Sequence, residues 1–210
     1  MQYPNFSRVS WEFIYLFVLK ISENPYFSCY HGGEGMVEGI RTSEVNENFN
    51  IQVAGFKSKI TDFKQLMQDL NKFNSKCTIQ LMDAEGIAGK YHAEHATIHA
   101  IKAFSRKDNI SKDLGLEICV RASGQRQISH ALKMLGLKNG DMKVCAVAVD
   151  CEKDIMERLE DILGERDDMI LEADDNKLKD IYGISSIEAE TAGSISKLLM
   201  ERTALLILEN

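Results

Sequence analysis

The chain has 210 residues, 44% of them hydrophobic and 27% charged, with a formal net charge of -7. That length suffices for one sizeable core without requiring a second domain, and the small glycine and proline content (14 and 2 residues) excludes a mostly disordered chain. The negative balance argues against a nonspecific coat on nucleic acid.

The charge is unevenly spread. Residues 150–180 hold thirteen Asp or Glu against five Lys or Arg, which leaves 20 basic and 19 acidic residues elsewhere. An acidic region is therefore expected beside a separate basic face.

Near the N-terminus, "WEFIYLFVLKI" is too short to span a bilayer, and it follows no basic leader. It reads as an extra element, or as translated sequence upstream of a start at Met36. The polar "CYHGGEG" after it supports a boundary there. The expected organisation is an extension over 1–35 and a domain over 36–210, with no membrane segment and a cytoplasmic location.

Strands are predicted at 36–42 and 50–56. Phe63, Leu66, Met67, Leu70 and Phe73 recur at spacings of three and four, predicting a helix over 60–74 capped by Thr61 or Asp62. A strand at 77–83 follows, then a helix from about 87 to 105. "EICVRAS" predicts a strand over 116–122, a turn at Ser123 and Gly124, and a helix over 125–135. "MKVCAVAVD" at 142–150 is the most apolar strand and is expected at the sheet centre. A helix over 152–163 precedes mixed loop and short helix to 180, and a hydrophobic helical segment over 185–208 closes the chain. Strands and helices intermix without repeats, which predicts one α/β (mixed α+β) domain with a small mixed or antiparallel sheet packed by helices.

Cys29, Cys77, Cys119, Cys145 and Cys151 include no CxxC pair. They read as buried free thiols in a reducing compartment, and no zinc site is expected from them.

His92, His95 and His99 share one helix face, but their spacing lacks the HExxH motif and a nearby third ligand, so no metal site is expected. The same face continues through Lys102 and Arg106, with Lys90 and Lys107 close in sequence, while Ala93, Ala100, Ile101 and Phe104 point to the core. A basic and imidazole face suits phosphate contacts and stacking on unpaired bases; it also suits a plain solvated surface. In "RASGQRQ", Arg121 and Arg126 flank a strand-to-helix turn and could clamp one phosphate. The loop has no Walker, GxGxxG or GxSxG spacing. A catalytic Ser123 would need His130 as base and an acid to orient it, and no spacing supplies that acid.

Together "IQLMDAEGIAGKYHAEHATIHAIKAF" and "EICVRASGQRQISHALKMLGLKNG" closely resemble the small regulatory subunit of the KEOPS complex, the Cgi/TPRKB family, from about Met36 to the C-terminus. The resemblance implies a compact mixed α/β fold and a non-catalytic, cofactor-free accessory protein that binds the kinase-like ATPase subunit of the complex. That subunit contacts the threonylcarbamoyl transferase which modifies an adenosine beside the tRNA anticodon. The resemblance further implies binding of tRNA through its single-stranded CCA end. The implied tRNA face comprises Lys90, His95, His99, Lys102, Arg106, Arg121, Arg126 and Gln127. The implied kinase interface is the C-terminal helix, through Ile195, Leu198, Leu199, Thr203, Leu206 and Ile207. A protein-only regulator that binds the kinase but not RNA is the alternative.

Overall fold

The computed structural model describes residues 49–73 and 77–207. The predicted strand at 36–42, the division near Met36 and Cys29 lie outside them.

Among the described residues, three antiparallel strands form a sheet: β1 (Ile51–Ile60), β2 (Thr78–Asp83) and β3 (Gly140–Val149), with β3 in the middle. The central position expected of the most apolar strand is observed, because its residues from Val144 to Val149 are buried on both faces. β1 runs four residues past its predicted end. Lys57 and Lys59 are exposed while Ser58 and Ile60 are buried, the alternation of a strand with one wet face.

Alternation sorts the sheet into two cores. Val53, Met82, Cys145, Val147 and Val149 face one side, covered by α2 (Lys90–Arg106), α3 (Leu114–Ser123) and α4 (Ile128–Leu135). Ala54, Phe56, Leu81, Val144, Ala146 and Ala148 face the other, covered by α1 (Phe63–Phe73) and α5 (Ile155–Leu163). Asp62 caps α1, its Oδ1 accepting from Gln65 N at 3.0 Å. A third, smaller core around Ala88 packs α6 (Asp175–Tyr182) and α8 (Ile195–Leu205).

The predicted C-terminal helical segment is two helices, α7 (Ser186–Ala192) and α8, separated at Gly193 with φ of 78°. Ser185 and Ser194 each cap the helix that follows, accepting from Glu188 N and Lys197 N.

The segment 116–122 is not a strand. It lies within α3, buried from Gly115 to Ser123. A helix enclosed on all sides loses the polar face that reveals its period, so a short apolar run reads equally well as a strand. The helix is set by its ends and one internal pair. Asp113 Oδ1 accepts from Leu116 N at 2.8 Å, Glu117 and Arg121 stand one turn apart, and Gly124 closes the helix with φ of 62°.

The cysteine reading is corrected at one pair. Cys77 and Cys151 form a disulfide with Cα atoms 4.8 Å apart. The register that pairs Thr78 with Val149 brings the residues beyond both strand ends together, and Asp150, at φ 55°, turns the chain there. Cys119 and Cys145 are free and buried, and burial pushes both thiols up to about 12.

Candidate nucleic-acid interface

Seventeen residues make α2, which Gly89 opens with φ of 91° and Lys107 closes in the left-handed region. Ala93, Ala96, Ala100 and Ala103 are buried against the first core, so the backbone of α2 lies close to α3. The outward side carries Tyr91 and Ile98, both exposed, and then Lys102 and Arg106. At about 100° per residue, His95, His99, Lys102 and Arg106 fall within one ~60° sector. Lys90 is some 120–180° away from that row by the same rotation. It faces Glu94 at 3.9 Å instead.

The three histidines have different fates. His92 is fully buried; its Nδ1 accepts from Ala88 N at 3.0 Å, holding the turn that precedes the helix. Burial, partly offset by the Ala122 carbonyl, pushes its imidazole down to about 4. His95 and His99 sit at the edge of the helix, half-buried, their ring centroids 4.4 Å apart. Burial and Lys102 lower His95. Burial first, then His95, Lys102, Arg121 and Arg106, push His99 down to about 4.

Arg121 is not a surface arginine. Its side chain is 1% exposed, and its Nε donates to Glu117 Oε1 at 2.8 Å. The other oxygen, Glu117 Oε2, accepts from Ile110 N at 2.8 Å and Ser111 N at 2.7 Å. The pair thus ties α3 to the loop that follows α2. Arg121 Nη1 has no hydrogen-bond partner, and its charge reaches His99 from beneath. The predicted clamp of Arg121 and Arg126 on one phosphate therefore does not form. With α3 a helix, Arg121 turns inward and Arg126 lies beyond the helix end. Arg126 Nη1 instead donates to Leu206 O at 3.3 Å, a cation at the end of α8 where the helix dipole favours one. Gln127 is exposed and begins α4 without a side-chain cap bond.

Ser123 is fully buried. Its hydroxyl donates to Val120 O at 2.9 Å and accepts from Gln125 N at 3.2 Å, while His130 is exposed on α4. This is the chemistry of a helix end, without a nucleophile presented to a substrate.

Of the residues expected at a kinase interface, Ile195, Leu199, Thr203 and Leu206 are buried in this chain's own core. Thr203 Oγ1 donates to Arg121 O at 2.9 Å, docking α8 on α3. Only Leu198 and Ile207 keep part of their surface. The strongly exposed apolar residues nearby are Ile187 on α7 and Leu205 on α8, which the sequence reading missed. Leu205 adjoins the buried Leu206, whereas the helix of Ile187 has no buried residue, so no sequence signal marks either as exposed. A cleft of about 600 Å³ lies elsewhere, where β1 ends and β3 begins, lined by Lys57, Lys59, Glu85, Lys138 and Lys143. It holds none of the predicted site residues, and Lys57 and Lys138 there are paired with Asp167 and Asp83.

The family model for the kinase binding protein CGI-121 matches residues 57–206, from the middle of β1 to the end of α8. The chain belongs to the CGI-121 family. Among its relatives is the regulatory protein Cgi121 of Methanocaldococcus jannaschii, 36% identical over 137 residues, or 65% of this chain and 88% of that protein. Another is the KEOPS complex subunit Cgi121 of Pyrococcus abyssi, 31% identical over 112 residues, or 52% of this chain and 61% of that protein. The matched span includes the basic row of α2, the buried Glu117–Arg121 pair and both C-terminal helices. Among the described residues, no helix is long and apolar enough to cross a membrane.

Proposed function

We propose that this CGI-121 family member is a non-catalytic accessory subunit of a KEOPS complex. It binds the kinase-like ATPase subunit, and through it serves the threonylcarbamoyl transferase, while helping recruit tRNA by the CCA end. Membership of a family described as kinase binding, and a relative named as a KEOPS subunit, support the first part. The observation that carries the second is the row of His95, His99, Lys102 and Arg106 on the outer edge of α2. Lys102 has no ionic partner among the described residues, so its charge is available to a phosphate.

The RNA face of this proposal is narrower than the sequence suggested. His95, His99, Lys102, Arg106, Arg126 and Gln127 are its contacts, and Arg121 sets the electrostatics from behind. Arg106 would exchange its bond to Asp108, 2.9 Å long, for a phosphate. In this reading the kinase-like subunit covers the outer side of α7 and α8; the exposure of Ile187 and Leu205 and the partial exposure of Leu198 and Ile207 support it.

tRNA binding measured across a salt series tests the RNA role. The expected result is an affinity that falls with salt, and a weaker, flatter dependence for Lys102→Ala, Arg106→Ala and Arg126→Ala, with the slope reduced by about one per lost phosphate contact. Tight association with the kinase-like subunit and no RNA binding at any salt would instead establish the protein-only regulator, which the net charge of -7 favours.

A further inference from the structure

His95 and His99 remain unexplained by packing alone. Their rings lie 4.4 Å apart with planes inclined at 41°, and Nδ1 of each is shielded from water without a hydrogen-bond partner. The charges that act on them are positive: Lys102 and Arg106 along α2, and Arg121 from α3. The carboxylates of the surrounding elements are engaged elsewhere or face solvent. Glu117 is held by Arg121, Ile110 N and Ser111 N; Asp108 holds Arg106; Glu94 faces Lys90. On α8, Arg202 is paired with Glu188 at 2.6 Å and Glu201 is exposed. His92 is buried behind the pair and bonded to Ala88 N, and Arg126 reaches Leu206 O. The free protein thus presents two uncharged imidazoles beside three positive charges, of which Lys102 has no carboxylate partner among the described residues.

We propose that the His95–His99 pair takes up a proton when an RNA backbone seats along α2, so that binding is proton-linked. This rests on the RNA reading of that face. A phosphate oxygen beside either ring supplies the missing counter-charge, and an imidazole nitrogen then accepts one proton from solvent and donates a charge-assisted hydrogen bond. No covalent bond changes. A neutral ring stacked on an unpaired base would need no proton, so the two modes of contact are separable.

The sign follows from linkage. The free His99 ring, held down to about 4, is neutral through this range, and His95 is lowered in the same direction; the bound form holds a proton to higher pH, so affinity rises as pH falls. With the bound ring restored to about the ordinary histidine value of 6.5, Kd decreases about tenfold between pH 7.5 and 5.5.

The test is anisotropy of a labelled tRNA transcript with the full chain at pH 7.5, 6.5 and 5.5 and constant ionic strength. Calorimetry in two buffers of different ionisation heat counts the protons, and histidine ring NMR signals report protonation in the free and bound states. The expected result is roughly tenfold tightening, net proton uptake, and charged His95 or His99 signals only in the complex. H95Q/H99Q should bind with a Kd constant within about twofold across the series. If that double variant does not bind, H95Q and H99Q singly, with the wild-type NMR signals, decide the matter. Binding that is flat with pH, or a pH dependence that survives in the double variant, overturns proton linkage while leaving the RNA reading intact. No binding at any pH overturns both.

Discussion

Glu117 and Arg121 form the most deeply buried ion pair among the described residues. Both side chains are essentially inaccessible, and the carboxylate is satisfied by a guanidinium and two backbone N–H groups. Removing one member leaves a buried charge uncompensated, which costs about 3–5 kcal/mol, whereas neutralising both can restore much of the loss. Urea unfolding of Arg121→Met should therefore show a loss of that size. Glu117→Gln combined with Arg121→Met should be more stable than Arg121→Met alone, because glutamine can still accept from Ile110 N and Ser111 N. His92 makes a second prediction at this scale. Its imidazole titrates at about 4 when folded and near 6.5 when unfolded, so the unfolded chain binds the extra proton between those values. Stability is complete above about pH 6.5 and declines as pH falls toward 4, by a total on the order of 3 kcal/mol from this group. Unfolding measured from pH 7.5 to 4 checks this, and His92→Gln should flatten the dependence. Neither role is legible in a bare sequence. Glu117 and Arg121 become partners only once 114–123 is a helix, and an imidazole three residues from another gives no sign of which is buried.

Helices with one wet face were legible and the enclosed helix α3 was not. Predicted α1 and α2 were found because their apolar residues recur at helical spacing against a polar background, and β3 because a continuous apolar run of that length suits a central strand. The α3 segment has the same apolar continuity but is a helix, and only Asp113 and Gly124 at its ends mark it as one. That Ile195, Leu199, Thr203 and Leu206 are buried was not legible for the related reason that the inner and outer stripes of a short apolar helix look alike in sequence. The Cys77–Cys151 bond was hidden because its partners stand 74 residues apart and meet only through strand register. It joins the entrance of β2 to the exit of β3 and restricts the unfolded chain, so reduction should cost about 2–4 kcal/mol. Thermal unfolding with and without dithiothreitol reads this out as a lower Tm on reduction. Cys77→Ser/Cys151→Ser should show the low Tm in both conditions, and an unchanged wild-type Tm would mean that the bond contributes no stability.

Across the whole described domain, the sheet separates two kinds of surface. The cationic row of α2 is on one side, and α5, with Glu157, Glu160 and Asp161 exposed, covers the other. The sequence showed that an acidic and a basic region coexist; the strand order puts α5 opposite the cationic row, whereas Leu171 and Leu178 pack the second half of the acidic region on the side of α2 and α8. Much of the acidic region serves the chain itself. Asp167 and Asp174 cap the turns that follow them, and Arg158 and Arg166 are paired within it to Glu152 and Asp168. Helices α2 and α5 cover opposite sides of the sheet, and layers pack roughly 10 Å apart, so their charges are separated by more than the Debye length of about 8 Å at physiological salt. Replacing Glu157, Glu160 and Asp161 by Ala should therefore change tRNA affinity by less than about twofold, which the same binding assay checks. Recruitment of tRNA by its single-stranded end is the proposed role. Its most direct test compares the Kd for intact tRNA with that for the same tRNA lacking CCA, for the subunit alone and with its kinase-like partner. Binding should be clearly weaker without CCA in both settings; equal affinity for the two tRNAs overturns the proposed role.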